Sequence, residues 1–161
     1  MLQIRSSLAG EQESCSKTMN VEQNRLTAIA FLQRMGTGVI DRALITEDLT
    51  WWVQGRGTYP IDEFEGMLTN LAALLEGPGE QRVIATTAEG DRVAVESEAH
   101  SVFKGGLLYE NTYHFLLTFR GNLICSVKEY YNSAYTRDFR AKLQSTAASP
   151  PWPALADQSG S

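Results

Sequence analysis

The residues of this sequence best suited to chemistry are a histidine and a glutamate that a predicted hairpin brings together. Residues 109 to 131 have the pattern of two long strands joined by a tight turn at Gly121-Asn122. A two-residue loop at this turn places His114 directly opposite Glu129. Opposed residues on one face of a sheet have Cβ atoms about 4.5 to 5.5 Å apart, so the imidazole and the carboxylate would alter each other's proton affinity. The pair predicts acid-base chemistry.

The same register divides the side chains of the hairpin between two faces. One face carries His114, Leu116, Val127, Glu129 and Tyr131, and the other is rich in aromatic residues. A turn of another length would shift the register by one residue and separate the pair. An opposed His and Glu is also common as an ion pair on a solvated face, so the sequence leaves a catalytic and a structural interpretation open.

Composition and charge restrict the class of protein. With 161 residues, 43% of them apolar and 20% charged, the chain suits one compact domain. A net charge of -5 without a basic cluster argues against a nucleic acid partner. No apolar run approaches the about 20 residues of a membrane helix, and residues 1 to 19 lack the apolar stretch of a signal peptide. We expect a cytoplasmic protein with no membrane partner.

The residue types that bind metals do not form a recognisable site in the sequence. Cys15 and Cys125 have neither Cys-X-X-Cys nor Cys/His ligand spacing. Glu96, Glu98 and His100 alternate along one predicted strand but lack a closing ligand. We therefore expect no metal and no cofactor.

Three helices and one strand are predicted in the N-terminal half. An apolar stripe at helical spacing predicts the first helix from Asn20 to Met35, and a short second helix follows through residues 39 to 44. Residues 48 to 53 form a strand, and Pro60 opens a third helix that ends before residue 77. Residues 1 to 19 are polar and aperiodic, which predicts a flexible N-terminal arm before a domain over residues 20 to 142.

The C-terminal half has the pattern of strands. Residues 83 to 89, 92 to 103, 107 to 120 and 123 to 132 are predicted to form two consecutive hairpins. Residues 143 to 161, rich in Pro, Ala and Ser, are predicted to be a flexible tail. The order of elements predicts an α+β fold: a curved, mostly antiparallel sheet wrapped around the three N-terminal helices, cone-shaped with a central cavity.

The ordered set of elements and several short segments resemble the SnoaL-like branch of the nuclear transport factor 2-like superfamily. The segments are Asp48 to Trp52, Glu89 to Val95, Tyr113 to Phe115 and Lys128 to Asn132. The resemblance covers roughly residues 20 to 142. This superfamily includes polyketide cyclases, ketosteroid isomerases, limonene epoxide hydrolases and proteins without known catalysis, so the fold does not define the reaction.

The resemblance implies that Glu129 faces the cavity. SnoaL-type cyclases and limonene epoxide hydrolases have an acidic residue at this position of the last strand, and the cyclases have a histidine near the position of His114. The epoxide hydrolases also need an Arg and an Asp where this chain has Ser97 and Ala99. Ketosteroid isomerases place their base just after the first strand, where this chain has Trp52 and no carboxylate. These departures argue against both of those mechanisms.

An inward pair would carry out proton transfer. Glu129 would remove a proton alpha to a carbonyl, and His114 or Tyr131 would donate to the developing enolate oxygen. Val53 and either Trp51 or Trp52 would line the substrate site, since adjacent strand residues point to opposite faces.

Three functions are consistent with the sequence. The first is a cofactor-independent acid-base enzyme of cyclase, isomerase or hydrolase type that acts on a small hydrophobic compound, a class that includes polycyclic and carbonyl-containing compounds. In such an enzyme we expect the side chains of Leu116 and Val127 to line the substrate site as well. The second is a non-catalytic module that binds a small hydrophobic ligand in the same cavity. The third is an interaction protein, and in each case we expect a homodimer.

Overall fold

The computed structural model describes the backbone of residues 3 to 146 and the side chains of residues 20 to 145. Within this part of the chain, three α-helices and six β-strands follow one another with one short 3-10 turn. They are α1 (Gln3–Gly36), the 3-10 turn (Arg42–Leu44), β1 (Ile45–Val53), β2 (Gly57–Pro60), α2 (Ile61–Ala72), β3 (Glu80–Glu89), β4 (Arg92–Phe103), β5 (Leu107–Arg120), β6 (Leu123–Tyr131) and α3 (Ser133–Thr146).

The six strands form one mixed sheet in the order β2-β1-β6-β5-β4-β3. All neighbouring strands are antiparallel except β1 and β6, which run parallel. Consecutive hairpins connect β3 to β6, whereas β1 is joined to β6 through all the intervening chain. The open curved sheet and its helices confirm the predicted α+β class.

One face of the sheet packs against α1 and α2 and forms the core. Buried and more exposed positions alternate along β4 and β5, as the two-residue period of a strand requires. The fully buried large side chains are Phe31, Leu32, Leu49, Trp51, Val93, Val95, Phe115, Leu117, Ile124 and Val127. Burial of one such side chain contributes about 1.5 to 3 kcal/mol to folding. We call this side of the sheet the inner face.

The N-terminal helices differ in part from the prediction. The first predicted helix lies within α1, the third corresponds to α2 but ends earlier than predicted, at Ala72, and the second is only the 3-10 turn. Gly38 has a φ angle of +89°, and the side chain of Asp41 accepts a hydrogen bond from the backbone N–H of Ala43. Because β1 begins at Ile45, the chain has no room for a longer helix here.

The helix α3 lies at the C-terminal end of the described chain and was not predicted. Tyr135, Phe139 and Leu143 recur at four-residue spacing, and this side of the helix packs on Phe103 and Tyr109. Residues 143 to 146 belong to α3, so the predicted boundary at residue 142 falls inside a helix.

The helix α1 begins at Gln3, so the backbone of residues 3 to 19 is helical where the sequence predicted an arm. No proline interrupts residues 3 to 36, which allows the helical hydrogen bonds to continue. Although α1 is long, neither it nor another helix of residues 3 to 146 is apolar enough to cross a bilayer. Residues 1, 2 and 147 to 161 lie outside the described residues. The division into arm, domain and tail stays a prediction.

A β-bulge in the β5-β6 hairpin alters the register that the turn predicts. Next to the turn, Phe119 pairs with Ile124, as a two-residue loop requires. Thr118, however, pairs with Ser126, which leaves Cys125 as the extra residue of the bulge. The Cys125 thiol donates to the carbonyl oxygen of Thr118 over 3.5 Å.

Beyond the bulge, every pair is displaced by one residue from the prediction. Glu129 lies opposite Phe115, and His114 lies opposite Tyr130. The predicted pairing of His114 with Glu129 is therefore wrong, because a bulge adds a residue to one strand without any change in the turn. The displacement brings Glu129 to the inner face and leaves His114 exposed on the opposite, outer face.

Candidate active site

The carboxylate of Glu129 lies on the inner face of β6 and is held there by a residue of β1. The indole Nε1–H of Trp51 donates to Oε2 of Glu129 over 2.7 Å. The parallel pairing of the strands makes this contact possible, because it sets Trp51 beside Val127 and Val53 beside Glu129. The backbone N–H of Gln54 also donates to the carbonyl oxygen of Glu129 over 3.0 Å, which fixes the end of β1 against β6.

The indole of Trp51 is immobilised by aromatic packing. Its side chain has 0% exposure. The ring stacks on Phe64 of α2 with centroids 3.9 Å apart and an interplanar angle of 9°, and Phe115 meets it edge-on at 6.2 Å. Trp51 therefore supports the carboxylate from behind and is not among the residues that line the cavity described below.

The pKa of Glu129 is raised to about 7, and burial is the largest cause. Three groups act in the opposite direction, because they favour the charged carboxylate: the hydrogen bond from Trp51 and the positive charges of Arg56 and Arg140. A carboxyl group with this pKa exists in both protonation states near neutral pH, so it can accept a proton and return it.

A cavity of about 200 Å³ adjoins Glu129 on the inner face. Most of its wall is apolar and comes from the sheet and all three helices, and its members include Met35, Val53, Phe64, Met67, Leu71, Phe103, Phe115 and Phe139. Polar side chains contribute at a few places, among them Arg56, Tyr109, Tyr113, Tyr131, Thr136 and Arg140. Apolar walls with a few polar groups are typical of small-molecule sites.

A network of hydroxyl and amide groups lies along part of the wall. The hydroxyl oxygens of Tyr109 and Tyr113 are 2.7 Å apart, and the amide of Asn111 donates to the Tyr109 hydroxyl over 2.9 Å. Asn111 also donates to the Thr136 hydroxyl over 2.9 Å, and that hydroxyl donates to the carbonyl oxygen of Asn132. Burial raises the pKa of Tyr113 well above its usual value, which keeps its phenol protonated.

Tyr131 follows Glu129 on the inner face and lines the same cavity. Its hydroxyl donates to the carbonyl oxygen of Gln54 over 3.3 Å, and its ring stacks on Tyr113 with centroids 5.9 Å apart. Burial and then the charge of Glu129 raise the pKa of Tyr131. The phenol is thus neutral when the carboxylate is charged.

The structure separates the predicted site residues into two groups. Glu129, Tyr131 and Val53 line the cavity, and the buried side chains of Trp51 and Val127 lie beneath the lining. The other three face the outer side of the sheet: His114 is exposed, Leu116 is half-buried, and Trp52 packs on Tyr130 with centroids 5.1 Å apart. The prediction of these three as site residues failed because of the bulge in β6 and the alternation along β1.

Three polar residues of the cavity wall were not identified from the sequence. Tyr109 and Tyr113 lie in a strand whose aromatic residues resemble those of a core. Arg140 was missed together with α3. The four-residue spacing of Tyr135, Phe139 and Leu143 is the signal that predicts the helix and the side of it that faces the domain.

Comparison with known proteins places the fold but not the activity. No protein-family model matches the sequence, and the comparison with curated proteins gives no match either. Solved structures do match. The BvnE pinacolase from Penicillium brevicompactum has a TM-score of 0.70 at 22% identity, over 80% of this chain and 94% of that one.

Two further similar structures carry the names of the predicted superfamily. A SnoaL-like protein from Jannaschia sp. CCS1 has a TM-score of 0.61 at 18% identity, over 80% of this chain and 94% of that one. A nuclear transport factor 2-like protein from Anabaena variabilis has a TM-score of 0.56 at 20% identity, over 72% of this chain and 89% of that one. The chain has the fold of the SnoaL-like branch of the nuclear transport factor 2-like superfamily.

Proposed function

We propose that this protein is a cofactor-independent acid-base enzyme in which Glu129 transfers a proton on a small carbonyl compound bound in the cavity. The observation that carries the proposal is the Glu129 carboxyl group, whose pKa burial raises to about 7 and which lines a mostly apolar cavity. The similarity to a structure named a pinacolase supports the view that this fold accommodates catalysis.

The contacts of Glu129 suggest how the proton is moved. Trp51 holds Oε2, so Oε1 is the oxygen that meets the ligand. The ionised carboxylate removes a proton alpha to the carbonyl, and the charge that leaves the carbon develops on the carbonyl oxygen as an enolate. Return of the proton to a carbon conjugated with the enolate would complete an isomerisation. Attack by the enolate carbon on a second carbonyl group of the same compound would form a C–C bond and an alkoxide, and return of the proton from Glu129 to that alkoxide would complete a cyclisation.

Tyr113 is the donor best placed to stabilise the enolate oxygen. Asn111 donates to the Tyr109 hydroxyl, and the hydroxyl oxygens of Tyr109 and Tyr113 are 2.7 Å apart, a distance at which either can donate. We assign Tyr109 as the donor of this hydrogen bond. In this arrangement the proton of the Tyr113 hydroxyl is directed to the ligand. Tyr131 lines the same cavity, but its hydroxyl donates to the carbonyl oxygen of Gln54, and it would have to give up that hydrogen bond to act as a second donor. His114, on the outer face, has no part in this mechanism.

The size of the cavity limits the ligand. A cavity of about 150 Å³ in a protein core holds a benzene molecule, and the volume here is about 200 Å³. We therefore propose a compact substrate with a single ring or a short branched chain. A polycyclic compound would have to extend beyond the cavity.

Solvent deuterium exchange tests the proposal without knowledge of the natural substrate. Compact cyclic and aryl ketones are incubated with the protein in D2O, and deuterium alpha to the carbonyl is followed by proton NMR. We expect exchange with the wild type and its loss in Glu129→Gln, while the ketone still binds, because the amide keeps the shape but cannot accept the proton. The matched control is Glu96→Gln, an exposed residue of β4.

The same experiment separates the enzyme from a non-catalytic binding module. Ketones that bind to the wild type without any exchange would favour the binding module. Full exchange activity in Glu129→Gln would refute Glu129 as the base.

We also propose that the protein is a homodimer that pairs through the outer face of the sheet. Leu108 and Tyr130 on this face are 44% and 38% exposed, and Trp52 packs beside Tyr130. Sedimentation at micromolar concentration tests the proposal, and a monomer would contradict it. The cytoplasmic location stays a prediction from the sequence.

A further inference from the structure

A glutamine of the cavity wall is held in place by a buried serine behind it. Gln81 lies on β3, lines the cavity and is only 6% exposed. Its amide Nε2–H donates to Oγ of Ser97 on β4 over 2.7 Å. Ser97 is fully buried and is not among the residues that line the cavity. The hydrogen bond from Gln81 to Ser97 therefore fixes the orientation of the amide from behind the wall.

The backbone of Gln81 is also fixed, because the end of α1 packs closely against it. A Cβ atom at Gly36, the last residue of α1, would lie 2.5 Å from both the Cβ and the backbone nitrogen of Gln81, closer than Cβ atoms approach other atoms in proteins. Only glycine allows α1 and β3 to meet in this way. Gln81 thus belongs to a rigid part of the wall, and a rigid polar group binds a ligand without the cost of ordering it.

The amide oxygen of Gln81 is available to a ligand. Within residues 20 to 145, no group donates a hydrogen bond to Oε1, and the one side-chain hydrogen bond of Gln81 uses Nε2. Buried polar atoms are nearly always hydrogen-bonded, because burial of an amide oxygen without a partner is unfavourable. The proposed mechanism uses Glu129 and Tyr113 and gives this amide no part. The free oxygen indicates a hydrogen-bond donor on the bound molecule.

Gln81 lies close to the side chain that we assign as the enolate donor. Ser97 pairs with Tyr113 across β4 and β5, and Gln81 pairs with Ala99, two residues from Ser97. The backbones of β3 and β5 are two strand spacings apart, about 9.5 Å, and both Gln81 and Tyr113 line the cavity between them. A compound with a single ring can therefore contact both side chains.

We propose that the substrate carries a hydroxyl group, which Gln81 binds, as well as the carbonyl that the proposed function requires. A hydroxyl group is a neutral donor, so it supplies the hydrogen bond that Oε1 lacks and suits an otherwise apolar wall. Gln81 is then a specificity-determining residue, and Ser97 is a positioning residue that acts through it. The inference rests on the proposed function and narrows the substrate class to compact hydroxy ketones.

Matched pairs of ketones test the proposal by binding alone. Meta- and para-hydroxyacetophenone are compared with the methylacetophenones of the same substitution, because hydroxyl and methyl groups are similar in size and only the hydroxyl donates. Isothermal titration at about pH 6, where the phenols are neutral, should show that the wild type binds at least one hydroxyl compound at least about fivefold tighter than its methyl counterpart. Gln81→Met should abolish this preference, because methionine is unbranched but has no amide.

Three further variants distinguish hydroxyl recognition from loss of structure. Ser97→Ala should reduce the preference and leave the affinity for the methyl compound unchanged, because the amide loses its anchor. The double variant Gln81→Met/Ser97→Ala should lack the preference and has no buried hydroxyl without a partner, so it and Ser97→Ala decide the result if Gln81→Met fails to fold. Gln33→Met, at an exposed glutamine of α1, is the matched control and should keep the full preference. Thermal unfolding identifies any variant that fails to fold.

Binding of the hydroxyl compound that is equal to or weaker than that of the methyl compound in both pairs would overturn the proposal. A preference that persists in Gln81→Met, or no binding of either hydroxyl compound up to about 10 mM, would overturn it as well. Glu129→Gln separates this result from failure of the proposed function. That variant should lose deuterium exchange but keep its preference for the hydroxyl compound, because Gln81 and Ser97 are intact.

Discussion

Replacement of Trp51 by phenylalanine is the most direct test of how the structure sets the proton affinity of Glu129. The change removes the Nε1–H donor and keeps an aromatic ring that can pack on Phe64. A hydrogen bond to a charged group is worth about 1.5 to 3 kcal/mol, and one pH unit corresponds to about 1.36 kcal/mol. Because the bond is short, its donor is fully buried and it favours the ionised carboxylate, its loss should raise the pKa of Glu129 by about 1 to 2 pH units.

The effect can be measured in two independent ways. The glutamate carboxyl groups can be labelled with carbon-13 and titrated by NMR. In the wild type the resonance of Glu129 should shift with a midpoint near pH 7, and in Trp51→Phe this midpoint should lie at a higher pH. Deuterium exchange should show the same displacement in its pH profile. At pH 7 the ionised fraction of the base, and with it the exchange rate, should fall about 5-fold to 50-fold.

Trp52→Phe is the matched control, because Trp52 is the adjacent residue and packs on the outer face against Tyr130. This variant should leave both midpoints unchanged. The other groups that act on Glu129 include the positive charges of Arg56 and Arg140, and burial raises the pKa of the Tyr113 and Tyr131 phenols, which keeps both phenols neutral while Glu129 titrates. A midpoint in Trp51→Phe that equals the wild-type value would refute the assignment of the indole as the group that lowers the pKa.

The remaining predictions concern stability and the other side chains of the site. The pKa of Glu129 is about 7 in the folded protein, whereas the ordinary value of a glutamate is 4.5. Its contribution to the free energy of unfolding is therefore fully present below pH 4.5 and is lost as the pH rises through 7. Urea unfolding at pH 5 and pH 8 should therefore show a fall of up to about 3 kcal/mol in the wild type that is absent in Glu129→Gln, and equal falls in both proteins would contradict the shifted pKa. Tyr113→Phe should lower the exchange rate about 10-fold to 100-fold with little change in ketone affinity, whereas Tyr130→Phe on the outer face should not; unchanged exchange in Tyr113→Phe would exclude it as the donor. His114→Ala should change the free energy of unfolding by less than about 0.5 kcal/mol and leave exchange intact, and a large loss of exchange would show that the outer face takes part in the reaction.

The fold could be predicted because its signals are local and repeated. The strands in the C-terminal half follow from the alternation of apolar residues and from the glycine turns at Gly90 and Gly121. The order of the helices and strands, together with several short segments, then carried the resemblance to the superfamily. The parallel pairing of β1 with β6 has no local signal, because it joins residues that are far apart in the chain.

The site could be predicted only where it did not depend on the register. The inward orientation of Glu129 came from the resemblance, and the structure shows it on the inner face. The partner predicted for Glu129 was wrong because the bulge at Cys125 shifts the pairing of β5 with β6 by one residue. The sequence of the turn does not indicate this bulge. The donor to Glu129 was not predicted either. Trp51 was predicted only as one of two residues that could line the substrate site. In the structure the contact between β1 and β6 brings its indole N–H to Glu129 as a hydrogen-bond donor.

The parallel contact of β1 with β6 also has a consequence for folding. A chain released before residue 123 would contain β1 without its main partner, and the indole N–H of Trp51 would have no acceptor. The backbone groups of such an unpaired strand are an open edge, which favours aggregation. Pairing of β1 with β6 must bring together two segments that are far apart along the chain, and contacts of this kind form slowly. The last strand to be synthesised therefore both completes the sheet and removes the carboxyl group from water, so the raised pKa of Glu129 is a reporter of complete folding.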